Sequence, residues 1–168
     1  MDFNQILNKY GKKNLIIAAI AVVALIFFCF ASYLTMTVKV PAQFGSQSNS
    51  QGVGLLEDLF FEDGYGLISF VGIVTILAVI ALLVTIFRGM KKESLYCAYA
   101  VGAAGILSLI CAMIKAGDIE DAIGNSNMYS VSAGWGLWVA VIGFVACAAV
   151  AHFLPEEDQT QTQNQIQQ

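Results

Sequence analysis

Four stretches nearly free of charge occupy residues 15–38, 66–87, 95–114 and 131–154. Each is long enough to cross about 30 Å of hydrocarbon, which takes roughly 20 helical residues. Apolar residues occur all round each run, without the alternation that a transmembrane strand requires. Helices follow, because a helix satisfies its own backbone hydrogen bonds in lipid. Hydrophobic residues make up 58% of the chain, more than a water-soluble core absorbs. The fold class read from the sequence is an all-α integral membrane protein, its four transmembrane helices arranged as two consecutive hairpins. The domain plan is a cytoplasmic N-terminal segment at 1–13, a transmembrane domain at 14–154 and a tail at 155–168.

Lys9, Lys12 and Lys13 precede the first run, as in a signal peptide. The apolar stretch is longer than a usual signal core and no small-x-small cleavage pattern follows it, so the reading is a retained helix. Arg88, Lys91 and Lys92 fill the short connection between the second and third runs. Six of the eight basic residues therefore fall on one side, leaving Lys39 and Lys115 on the other. The positive-inside rule then puts both termini and the middle loop in the cytoplasm, and the acidic loops outside a plasma (cell) membrane. That outer side carries seven carboxylates against two lysines. Such a charge balance disfavours nucleic acid as a partner.

Short helices are expected at both faces. Phe3, Ile6, Leu7 and Tyr10 share one face of a helix over 2–10, suited to lie on the inner leaflet. Leu55, Leu56, Leu59 and Phe60 share a face of an interfacial helix over 54–63, with Glu57, Asp58 and Glu62 turned toward water. The polar, glycine-rich "QFGSQSNSQGVG" before it reads as a flexible loop, and "DIEDAI" in the second outer loop as a helical turn or two. The tail after Pro155, acidic and then rich in Gln, Asn and Thr, has no core to build and reads as disordered.

Gly64-Tyr65-Gly66-Leu67 and Gly134-Trp135-Gly136-Leu137 match without a gap, each opening an even-numbered helix from the outside. Aromatic rings at headgroup level and glycines at helix starts are common, so the pair reads as two outer-boundary markers, with duplication of one hairpin as the alternative. Tyr65, Trp135 and Trp138 are the expected interface anchors. Small residues form rows on the last two helices: Ala98, Gly102 and Gly105 on the third, Gly136, Ala140 and Gly143 on the fourth. Such rows let helices meet at short distance in lipid, so these two are expected to pack tightly together. The first two helices, dominated by Ile, Val, Leu and Phe, are expected to turn large faces to lipid or a partner.

Reactive constellations are scarce. No charge lies in the core of any span, as a proton relay or a coupled transporter would need. His152, the single histidine, falls near the inner end of the fourth helix. Cys29, Cys97, Cys111 and Cys147 all lie inside spans without metal-site spacing and read as small buried hydrophobes. No Gly-x-Ser-x-Gly, His-Glu-x-x-His or phosphate-binding loop occurs. No cofactor is expected, and no catalytic residue is assigned. Glu57, Asp58, Glu62, Asp63, Asp118, Glu120 and Asp121 are the one group with ligand chemistry, since hard cations take several carboxylate oxygens. Their spacing matches no EF-hand, and no metal is assigned to them.

The Gly-Leu-Trp triplet at Gly136 to Trp138 is similar to one in the claudin-type tetraspans. In that family it belongs to the first outer loop and precedes paired cysteines, whereas here it opens the fourth helix without them. Membership is not inferred from it.

The function expected from these features is non-enzymatic: association with the lipid bilayer and with other membrane protein subunits or itself. The alternative is an oligomeric channel or transporter for a small neutral solute, with Ser32, Thr35, Thr75 and Ser108 lining the path.

Overall fold

The computed structural model describes residues 11–39, 48–55, 66–122 and 129–154. The expected helix over 2–10, all but the first two residues of the one over 54–63, Tyr65 and the tail lie outside these residues.

Among the described residues, four helices are long and apolar enough to cross a membrane. They are α1 (Lys12–Phe30), α2 (Gly66–Phe87), α3 (Lys91–Ala122) and α4 (Trp135–Phe153). The all-α expectation needs correcting, because three strands accompany them: β1 (Ser32–Lys39), β2 (Ser48–Gly54) and β3 (Tyr129–Ala133). They form one antiparallel sheet in the order β2-β1-β3. In register, Thr35 lies opposite Gly52 on one side and Ser132 on the other.

Three boundaries move with the sheet. The first apolar run was expected to be helical to residue 38, yet α1 stops at Phe30 and Ser32 onward is strand. The cause is a change of period: "SYLTMTVK" alternates around Thr35 and Thr37 and is rich in β-branched residues, which suit a pleated surface. Val131, expected to open the fourth helix, belongs to β3, and α4 begins at Trp135. The polar "SNSQGVG", expected to be loop, is strand because β1 offers it a ladder along nearly its whole length.

α3 is longer than expected. Its 32 residues reach about 48 Å at 1.5 Å per residue, well beyond the hydrocarbon thickness. Asp118 to Ala122 of the expected "DIEDAI" turn form its last residues and not a separate element. A tight turn joins α2 to α3: Gly89 adopts φ 73°, its N–H donates to Ile86 O, and the Met90 N–H donates to Thr85 O. This is the glycine-terminated helix end that satisfies the last carbonyls.

Around the bundle the order is α1-α4-α3-α2. α1 packs chiefly on α4, α4 on α3 and α3 on α2, while α1 and α2 touch little. Of the two expected hairpins, α1–α2 and α3–α4, the second is the well-packed one, and α2 with α3 forms another packed pair across the tight turn. The sheet closes one end of the bundle. Lys13, Lys91 and His152 meet at the other, where α1 and α3 begin and α4 ends.

Candidate functional site

The centre of the molecule is built where β1 leaves α1. Tyr33 is fully buried and its hydroxyl donates to Ser108 O on α3 at 3.1 Å. The Phe28 ring stacks edge-on between Tyr33 and Phe144 of α4, with centroids 5.9 and 5.6 Å away. Gly105 makes room for this: a Cβ there would come within 2.8 Å of the Phe144 ring.

One polar pair sits in the bundle interior. Thr75 Oγ1 of α2 and Ser108 Oγ of α3 are 3.0 Å apart and both residues are fully buried. Ser108 also donates to Ala104 O at 2.9 Å, and Thr75 reaches Val71 O at 2.9 Å. With one hydrogen each, the two hydroxyls make two of these three bonds at a time: one donates to the other, and the other donates to the carbonyl of its own helix, so both are satisfied without water. Of the four residues expected to line a solute path, the structure brings only Thr75 and Ser108 together. Ser32 and Thr35 belong to β1, and the Ser32 Oγ is buried with no hydrogen-bond partner among the described residues.

The small-residue rows divide between two neighbours. Gly102 and Gly105 of α3 face α4: a Cβ on Gly102 would lie 3.3 Å from that of Ala148. Ala98 and Ala140 are both fully buried. Gly136 and Gly143 of α4 turn the other way and receive α1. A Cβ on Gly143 would meet the Ala24 Cβ at 2.7 Å, and one on Gly136 would overlap Ala31. Cys147, five residues before His152 on α4, donates weakly to Ile17 O across the same seam at 3.6 Å.

Trp135 and Trp138 project from the sheet-side end of α4. Both are exposed, Trp135 standing edge-on to Phe27 at 5.8 Å. Of the acidic group, Asp118 and Asp121 are exposed at the end of α3, while Glu120 accepts the Val131 N–H of β3 at 2.7 Å. Glu120 therefore ties the helix to the sheet, a role its sequence position does not signal. Glu57, Asp58, Glu62 and Asp63 lie outside the described residues. Among the described residues no group of three or more His, Cys, Asp or Glu is placed to hold a metal ion. At the opposite end, the Tyr99 hydroxyl and His152 Nδ1 are 2.7 Å apart.

No protein-family model matches this chain, and no curated protein matches it in sequence.

Proposed function

We propose that the chain is a multi-pass protein of the cell membrane that acts by association and not by catalysis, either as a subunit of a larger membrane complex or as a homo-oligomer. The basic end faces the cytoplasm, and the sheet with the acidic end of α3 stands outside. Trp135 and Trp138 mark the outer headgroup layer, where amphipathic rings are most stable. The observation that carries this reading is how the polar groups are spent. Thr75, Ser108 and Tyr33 bond to one another or to backbone carbonyls inside the bundle. Outside it the chain builds a three-stranded platform rooted on α3 and α4, a form suited to contact with another protein.

The edge strand β2 favours the same reading. Among the described residues its ladder runs only to β1, and an exposed edge is a template for another chain.

Two measurements test the proposal. Crosslinking in the native membrane is expected to capture either a second copy or a distinct membrane protein. Alkylation of single cysteines placed at Ser132 and at Lys92 with an impermeant reagent is expected to label only the first from outside intact cells. A stable monomer without crosslinked partner removes the association reading, and reversed labelling removes the orientation.

A further inference from the structure

At the end of the bundle opposite the sheet, a cavity of about 410 Å³ opens between the first turns of α1 and α3 and the last turn of α4. Its rim carries Lys13 from α1 and Lys91 and Lys92 from α3. Asn14, Ser94 and His152 add polar groups beside them, the His152 ring being held by its contact with the Tyr99 hydroxyl. The deeper wall is apolar and consists of Ile17, Leu95 and Ala151. Ile17 stands four residues beyond Lys13, and Leu95 four beyond Lys91. Each helix thus changes from basic to apolar within about one turn, or roughly 5–6 Å.

Helix ends reinforce the rim. α1 and α3 both begin here, so the positive dipole ends of two long helices converge on one corner. The first turn of α1 carries no acidic residue, and that of α3 carries only Glu93, which is exposed and does not line the cavity.

We propose that this cavity binds an anionic membrane phospholipid, its phosphate among the three lysines and its glycerol and first acyl carbons against the Ile17–Leu95 wall. A soluble phosphate needs only the rim. The apolar wall one turn deeper is what matches a lipid, and the change from basic to apolar occurs at the depth where headgroup gives way to acyl chain. The inference rests on the membrane reading but not on association.

The test offers the full-length protein, in mild detergent, equal amounts of phosphatidylglycerol and phosphatidylcholine and counts retained lipids by native mass spectrometry. One phosphatidylglycerol is expected to be retained with about tenfold preference, the scale set by a few lysines near an anionic headgroup. The combined variant Lys13→Gln, Lys91→Gln, Lys92→Gln is expected to lose the preference, and Lys115→Gln, at the other end, to keep it. Millimolar inorganic phosphate is expected to leave the bound lipid in place. Should the triple variant fail to fold, Lys92→Gln alone and the wild-type preference decide. Equal retention of both lipids, an unchanged preference in the variant, or displacement by inorganic phosphate overturns the proposal. A monomer that keeps the preference would refute the association reading and leave this one standing.

Discussion

The seam between α1 and α4 and the seam between α2 and α3 hold helices together by different means. Apolar side chains gain nothing by leaving lipid for another helix, so association must come from close packing or hydrogen bonds. α1 and α4 approach until side chain meets backbone, with Ala24 on Gly143 and Ala31 on Gly136. α2 meets α3 through larger side chains, with Leu82, Val79 and Ile86 fully buried, and adds the Thr75–Ser108 pair. The first seam is therefore broken by adding atoms, the second by removing hydroxyls.

Substitutions sharpen that contrast. The largest effect is expected at Gly136→Leu, whose Cβ alone would overlap the Ala31 methyl group and press on the Ala31 and Ser32 backbone behind it; about 3 kcal/mol or more should be lost in reversible unfolding from mixed micelles. Gly143→Ala meets a single methyl group, that of Ala24, and should cost about 1–2 kcal/mol. On the other seam, Ser108→Ala and Thr75→Val should show a coupling near 0.6 kcal/mol in a double-mutant cycle, the scale of such bonds in membranes. If Gly136→Leu costs less than that pair, the proposed division between the seams is wrong. The smallest effect is expected at Ser32→Ala, which deletes a buried hydroxyl lacking a partner among the described residues and should be neutral or stabilising by under about 1 kcal/mol.

Length and apolarity made the four helices legible, and Lys12, Lys13, Arg88, Lys91 and Lys92 made one end of the bundle legible as well. The sheet was hidden because β1 and β3 continue the apolar runs of α1 and α4. A hydropathy window does not register a switch from a period of 3.6 to one of 2. β2 was hidden for the opposite reason, being too polar and glycine-rich to declare itself without β1 beside it. Small residues could be recognised on α4, but not the neighbour each would face: Gly136 and Gly143 receive α1, a helix whose sequence has no matching glycine row. The two aromatic-glycine helix starts also differ in setting. A Cβ on Gly66 would meet nothing within 4 Å, whereas one on Gly136 would overlap α1. Gly72 lies instead under Leu55, which follows β2 and covers α2 from the sheet side. Similar words in the sequence thus serve different contacts.

The three lysines of the cavity were visible as charges flanking two helices. Their convergence required α1 and α3 to flank the end of α4, which packing alone decides.

Association is the claim on which the functional account stands, and it is most directly tested by weighing the full-length protein in nanodiscs cut from its own membrane without detergent. The account predicts particles holding two or more copies of this 18.0 kDa chain, or one copy with a second membrane protein. Particles holding a single chain and lipid alone would contradict it.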